Sequence, residues 1–213
     1  MTANPEAMGA GRTLNVMLAG VGGQGTILAA DVVGLVGLAQ GLDVKKSEVH
    51  GMAQRGGSVI SHVRWGERVY SPLIAAGEVD ILVAFERLEA LRYAELLRPG
   101  GALLVNDYRV TPVTVTSGGQ RYPSAAEEEA AFAGAALRRY VVPAMAIAQE
   151  LGQTRVNNVV MLGAMSVLLA STAVPIDVPE GVWRQVISER VPPRFVDLNL
   201  RAFDAGREYM GRR

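Results

Sequence analysis

Residues 14–25 read Leu-Asn-Val-Met-Leu-Ala-Gly-Val-Gly-Gly-Gln-Gly, a short apolar run that ends in a glycine-rich turn. A long, largely apolar stretch with helical character begins directly after it, at Thr26. Gly20, Gly22 and Gly25 have the G-x-G-x-x-G spacing, which in a strand–turn–helix setting presents free backbone N–H groups to an anion. The stretch therefore predicts the first strand and helix of an α/β fold with an anion-binding turn between them. The alternative is that these glycines only permit close strand–helix packing.

The composition limits the class of protein. The 213 residues are enough for one domain with a full core, and 21 basic residues balance 21 acidic ones. Such a balance favours neither a nucleic acid nor a charged membrane surface as partner. The sequence holds no cysteine, so this chain forms no disulfide and supplies no thiolate to zinc or an iron–sulfur cluster. No metal site is predicted, since His50 and His62 lie twelve positions apart, which is not a recognised ligand spacing.

The ends of the chain predict no targeting signal. Residues 1–12 lack the basic region and apolar stretch of a signal peptide and are expected to form a disordered lead-in. No run reaches the roughly 18 apolar residues that a membrane helix needs. We therefore expect a cytoplasmic protein, soluble and not bound to a membrane, with a single domain over residues 13–210.

The middle of the chain predicts a β-hairpin inserted into an otherwise parallel sheet. A strand near residues 43–49 is followed by a second glycine-rich loop, where a dinucleotide-binding fold would begin a helix. Apolar and polar residues then alternate over 59–65, which is the pattern of a strand. Gly-Glu-Arg at 66–68 is expected to turn that strand toward a short partner at 69–70.

From residue 79 the pattern returns to alternating strands and helices. Buried-type strands at 79–84 and 102–106 enclose a helix, and such a βαβ unit implies parallel strands. Four further helices are predicted toward the end of the chain, near 143–151, 157–170, 179–191 and 195–209. The predicted fold is a Rossmann-like α/β fold: a mostly parallel sheet with helices on both faces, an inserted β-hairpin and a helical C-terminal region.

The two glycine-rich loops form the candidate site, because the carboxyl ends of parallel strands line the ligand crevice in such folds. The first loop would supply backbone donors, and an arginine fork in the second suits a phosphate or carboxylate. The candidate cofactor-binding residues come from both loops: Gly20, Gly22, Gly23, Gln24, Gly25, His50, Gln54, Arg55, Gly56 and Gly57. No catalytic residue is assigned, since the loops hold neither a serine–histidine–acid arrangement nor paired carboxylates.

Some of these side chains have a second interpretation. Arg55 could form a structural salt bridge that pins its loop, and His50 fits a hydrogen-bonding role better than that of a proton carrier. His62 falls in the polar phase of its strand and is expected to face solvent or an interface. Glu48 has about the position of the acid that holds the ribose in a dinucleotide site, but a loop follows it instead of a helix.

Both loops resemble a known family. Ala-Gly-Val-Gly-Gly-Gln-Gly-Thr at 19–26 and Ser-Glu-Val-His-Gly-Met-Ala-Gln-Arg-Gly-Gly-Ser at 47–58 are similar to the beta subunits of indolepyruvate ferredoxin oxidoreductases. These belong to the gamma-type domains of the 2-oxoacid:ferredoxin oxidoreductases. Closing segments at 155–163 and 191–203 are similar too, so the resemblance covers about residues 13–208. The pyruvate branch shares mainly the Arg-Gly-Gly of the second loop.

The resemblance implies an accessory subunit of a thiamine diphosphate-dependent enzyme. The family's reaction is oxidative decarboxylation of a 2-oxoacid, here indolepyruvate or another aryl-pyruvate, with coenzyme A to acyl-CoA, carbon dioxide and reduced ferredoxin. Thiamine diphosphate and the iron–sulfur clusters would belong to an alpha subunit, and this chain alone would hold no cofactor. It would complete the active site or the coenzyme A crevice and would need its partner for activity. A homodimer of this subunit remains open.

Two other classes of function are compatible with the sequence. A self-contained NAD(P)-dependent dehydrogenase or methyltransferase also has a glycine loop after its first strand, although the hairpin after residue 58 argues against both. A non-catalytic scaffold that has kept the fold is the third possibility. The largely apolar helices predicted at 26–40 and 157–170 would suit its contact surface.

Overall fold

A six-stranded sheet forms the centre of the computed structural model, which describes residues 12–50, 57–112, 115, 118–119, 121–133 and 138–212. Its strands lie in the order β2-β3-β1-β4-β5-β6. The strands β1, β4, β5 and β6 pair in parallel, and β3 is antiparallel to both of its neighbours. The predicted mostly parallel sheet is therefore confirmed. The strands are β1 (Thr13–Val21), β2 (Asp43–His50), β3 (Ser58–Gly66), β4 (Val79–Ala84), β5 (Leu97–Asn106) and β6 (Arg138–Val142).

Helices pack against both faces of this sheet, as predicted. Alternate residues of β1 point to opposite faces, so Val16 and Leu18 join one buried cluster while Met17 and Ala19 join the other. The larger cluster includes the helical C-terminal region. The helices are α1 (Thr26–Ala39), α2 (Arg87–Tyr93), α3 (Ala125–Ala133), α4 (Ala144–Glu150), α5 (Asn157–Leu168), α6 (Glu180–Arg190) and α7 (Val196–Gly211).

The inserted hairpin is present, but its predicted pairing is wrong. The hairpin consists of β2 and β3, with His50 opposite Val59, and the second glycine-rich loop connects the two strands in the sequence. Residues 69–70 form no strand. The physical reason is that β2 occupies one edge of β3 and β1 the other, so no edge is left for a further strand.

The two ends of the chain fall partly outside the described residues. Of the predicted lead-in at residues 1–12, only Arg12 is described. Within the ranges that are described, none of the helices has both the length and the apolar character needed to cross a bilayer.

Helices α5 and α7 touch through their backbones at two glycines. A Cβ atom at Gly163 would lie 2.0 Å from the carbonyl oxygen of Phe203, and one at Gly206 would lie 2.0 Å from that of Val160. Both distances are far below van der Waals contact, and the obstructing atoms belong to backbone that is itself helical. The crossing therefore requires glycine at both positions.

We expect Gly163→Ala and Gly206→Ala each to lower the free energy of unfolding by about 1–3 kcal/mol, because the added methyl group forces the two helices apart. Urea denaturation of the full chain measures the effect. Gly181→Ala is the matched control, because its helical site in α6 has nothing within 4 Å of the added carbon. That control should be neutral or stabilise by up to about 1 kcal/mol. Equal effects at all three positions would contradict the proposed backbone contact.

Candidate functional site

The two glycine-rich loops are neighbours in the fold. Antiparallel pairing of β1 with β3 puts Val21, the last residue of β1, opposite Ser58, the first residue of β3. The contact continues into the loops, where the Gly22 amide donates a hydrogen bond to the Gly57 carbonyl over 2.9 Å. The first loop, which follows β1, therefore meets the last residues of the second loop, which precede β3.

Glycine is required at different positions of the first loop for different structural reasons. A Cβ atom at Gly20 would lie 2.6 Å from the Thr26 hydroxyl oxygen, and one at Gly25 would lie 2.3 Å from Nδ2 of Asn158. These two glycines allow close packing, which was the alternative interpretation of the motif. Gly23 is different, since it is exposed, has a φ of +101° and would have nothing within 4 Å of an added Cβ atom. It is thus a point at which a ligand could approach the backbone.

Gln24 holds the first loop in place. Its Oε1 atom accepts a hydrogen bond from the Val21 amide over 2.8 Å, and its Nε2 atom donates to the Phe85 carbonyl over 3.3 Å. The Gln24 amide also donates to the Val21 carbonyl over 3.1 Å. Both ends of the side-chain amide are thus used within the chain, so Gln24 shapes the loop and ties it to the end of β4.

The C-terminal region supports the same loop. Nδ2 of Asn158, in the first turn of α5, donates a hydrogen bond to the Gly25 carbonyl over 3.3 Å. Its Oδ1 atom accepts from the Val159 amide over 2.9 Å, which fixes the orientation of the side chain. Asn158 was not among the predicted site residues, although it lies in the closing segment at 155–163, which is part of the family resemblance.

A buried carboxylate caps the helix that follows β4. Glu86 accepts hydrogen bonds through Oε2 from the amides of Leu88 over 2.6 Å and Glu89 over 3.2 Å, at the start of α2. Its Oε1 atom accepts from the Val110 amide over 3.1 Å and from the Tyr122 hydroxyl. Four donors satisfy this carboxylate, so its role is to fix the connection between β4 and α2.

A second buried carboxylate anchors the start of β3. The Ser58 hydroxyl donates to Oε2 of Glu89 and lies 2.9 Å from the Tyr93 hydroxyl. Arg92 pairs with the other carboxylate oxygen over 2.7 Å. Burial raises the pKa of Glu89, while its hydrogen bond from Ser58 and the charge of Arg92 act in the opposite direction. A narrow cavity of about 60 Å³ lies beside Glu86 and Glu89.

Part of the predicted site lies outside the described residues. This applies to Gln54, Arg55 and Gly56, and also to the side chain of His50, whose backbone ends β2. Gly57 is described and bonds Gly22 as given above. Within the described ranges, no group of three or more histidine, aspartate or glutamate side chains could hold a metal ion.

The strand order argues against the interpretation of Glu48 as the acid of a dinucleotide site. In a dinucleotide-binding fold the acid follows the strand next to β1. Here β2 is the edge strand, β3 lies between it and β1, and Glu48 pairs with Lys46 over 2.7 Å. A ligand on the first loop would thus have an intervening strand between it and this carboxylate.

His62 is a structural residue of β3. It is half-buried, and its Nδ1 atom accepts a hydrogen bond from the Ile74 amide over 3.3 Å. Burial, followed by the nearby Arg64 charge, lowers the pKa of His62. The expectation that His62 faces solvent or an interface misses this contact, which holds the segment before β4.

Comparison with known proteins gives one consistent answer. Residues 15–209 match the family model described as pyruvate ferredoxin/flavodoxin oxidoreductase. The indolepyruvate oxidoreductase subunit IorB of Pyrococcus horikoshii is 40% identical over 90% of this chain and 93% of its own length. Its counterpart from Thermococcus kodakarensis is 39% identical over the same shares. The gamma subunit of a keto/oxoacid ferredoxin oxidoreductase from Geobacter sulfurreducens has a TM-score of 0.69 at 25% identity, covering 94% of this chain and 99% of that one.

The lowered pKa of His62 predicts a specific loss of stability in acid. The unfolded chain binds a proton to this histidine near pH 6.5, whereas the folded chain resists protonation until a lower pH. The free energy of unfolding should therefore fall as the pH drops below about 6.5 and level off below the folded pKa. His62→Gln keeps an acceptor for the Ile74 amide but cannot titrate. Urea denaturation between pH 7 and pH 5 should show a smaller loss for the variant, and parallel curves would refute the assignment.

Proposed function

The chain belongs to the pyruvate ferredoxin/flavodoxin oxidoreductase family, and from this premise we propose that it is the beta subunit of an indolepyruvate ferredoxin oxidoreductase. The observation that carries the proposal is the nearly full-length match to two IorB subunits at 39% and 40% identity. The two adjacent glycine-rich loops, on which the sequence resemblance first rested, support it. The proposed reaction converts indolepyruvate or another aryl-pyruvate, with coenzyme A, to acyl-CoA and carbon dioxide, and the electron pair passes to ferredoxin.

The proposed division of labour places the redox chemistry in a partner. A chain without cysteine cannot supply the thiolate ligands of an iron–sulfur cluster. An alpha subunit would therefore hold the clusters and thiamine diphosphate, and ferredoxin would receive electrons through the assembled complex. Thiamine diphosphate supplies the carbanion chemistry of decarboxylation when bound. This chain would contribute binding groups and exclude water from the site.

The proposed contact with a cofactor is a phosphate site at the two loops. Gly23 offers exposed backbone with open space around it, two residues before the N-cap of α1, a helix whose first N–H groups favour an anion. Arg55 in the second loop would add a charged fork for a phosphate of coenzyme A or thiamine diphosphate. The hydrogen bonds of Gln24 and Asn158 make these residues positioning groups in this proposal, since both hold the loop from within.

The subunit assignment is tested by reconstitution. We expect the isolated chain to show no 2-oxoacid oxidation, and a complex with the cluster-bearing alpha subunit to reduce ferredoxin in the presence of coenzyme A. The ratio kcat/KM should be at least about tenfold higher for indolepyruvate than for 2-oxoglutarate, a difference of about 1.4 kcal/mol. Activity of the isolated chain would refute the division of labour. A preference for 2-oxoglutarate would refute the substrate but leave the subunit assignment intact.

The loop site is tested in the same reconstituted complex. A charge-assisted hydrogen bond to a phosphate contributes about 1.5–3 kcal/mol, so Arg55→Ala should raise KM for coenzyme A about tenfold or more with a smaller change in kcat. Arg212→Ala, at an exposed position paired with Glu208 near the end of the chain, is the matched control. If Arg55→Ala assembles normally and keeps its KM for coenzyme A and thiamine diphosphate, the loops serve packing alone.

A further inference from the structure

A cleft lined with arginines lies at one end of the central strands, and the glycine-rich loops lie at the other end. Its volume is about 440 Å³, and its walls include Arg12, Asn15, Arg64, Glu78, Arg98 and Val174. We call it the arginine cleft. It opens at the amino end of β1, whose nine residues put it roughly 25 Å from the first glycine loop. The arginine cleft is therefore a separate feature from the site described above.

The walls of the arginine cleft carry an excess of positive charge. Three guanidinium groups face one carboxylate, that of Glu78, in its lining. A second carboxylate, Asp80, is buried behind the wall and pairs with Arg98 over 3.0 Å. Even when this pair is counted as neutral, the two remaining arginines exceed the charge of Glu78. The cleft therefore attracts an anion.

Arg64 is held in a fixed orientation within the cleft. Its Nε atom donates to Oδ1 of Asn15 over 2.8 Å, and its Nη1 atom donates to the carbonyls of Leu73 over 2.9 Å and Ser71 over 3.1 Å. A guanidinium that is already ordered loses less conformational entropy when it binds a ligand. The two N–H groups on its Nη2 atom are the donors that remain for a ligand oxygen.

Structural roles account for two of the three arginines. Arg64 fastens the segment at 71–73, and Arg98 neutralises the buried Asp80. Arg12 is exposed and forms no ion pair with any residue that the structure describes. Among the described residues, its guanidinium is therefore available to a ligand.

We infer that the arginine cleft binds a small anion bearing phosphate groups, independently of the glycine-rich loops. The volume of the cleft falls within the range of about 300–1,000 Å³ that is typical of small-molecule sites. Phosphate and carboxylate groups share the paired-oxygen geometry that guanidinium groups recognise, so both sources need to be tested.

Isothermal titration of the full chain with inorganic pyrophosphate, and separately with citrate, tests the inference. We expect pyrophosphate to bind, and Arg12→Gln to weaken the affinity of the cleft about tenfold or more, which is the scale for one charge-assisted contact. The melting temperature of ligand-free Arg12→Gln should equal that of the wild type. Arg201→Gln, an exposed helical arginine paired with Asp197, is the matched control and should bind as the wild type does.

Each outcome decides the inference. Tighter binding of pyrophosphate than of citrate supports a phosphate ligand, and the reverse order overturns phosphate in favour of a carboxylate. Affinity that is unchanged in Arg12→Gln would place the pyrophosphate elsewhere, including the glycine-rich loops, and overturn the assignment. Equal weakening in Arg201→Gln would show general charge attraction and overturn it as well. If a tetraglutamate peptide binds more tightly than pyrophosphate, the ligand of the cleft is an acidic protein segment and the inference of a small phosphate ligand is overturned.

Discussion

The antiparallel pairing of β1 with β3 is the constraint on which the candidate site depends. Its register puts Val21 opposite Ser58, and that placement brings the two glycine-rich loops into contact. The register itself is fixed by the core, because Val63 and Trp65 of β3 are fully buried. A slip by one residue would turn both side chains to the opposite face of the sheet. Core packing at one end of β3 thus determines the contact between the loops at its other end.

The C-terminal region contributes to the same edge of the sheet. Close contact of α5 with α7 through Gly163 and Gly206 determines the position of α5. The first turn of α5 carries Asn158, whose amide reaches the carbonyl of Gly25. The first loop is therefore supported by a residue that lies 133 positions away in the chain. This dependence gives a physical reason why the glycine motif and the closing segments accompany each other in the family resemblance.

Local patterns in the sequence predicted the elements better than their partners. The strands at 79–84 and 102–106 and the C-terminal helices follow from hydrophobic periodicity, which depends on neighbouring residues. The pairing of β3 depends on two strands at a distance, and its alternation alone could not show that both edges are occupied. The loops could be predicted because glycine spacing and the family resemblance are local features.

The buried carboxylates behind the loops could not be predicted in the same way. Ser58, the partner of Glu89, lies 31 residues earlier and meets it only through the sheet order. Buried polar contacts of this kind are products of tertiary structure, and they stabilise the loop ends because burial makes an unpaired group costly.

A formal net charge of zero also conceals how charge is distributed over this fold. At the carboxyl edge of the sheet, buried glutamates accept hydrogen bonds from backbone amides and hydroxyl groups. At the amino edge, arginines outnumber the carboxylates that face them. Net charge describes solubility and non-specific attraction, which depend on the whole surface. A binding site depends instead on the local field, so a balanced composition gives no general attraction to polyanions, and it is compatible with a cleft that recognises one small anion.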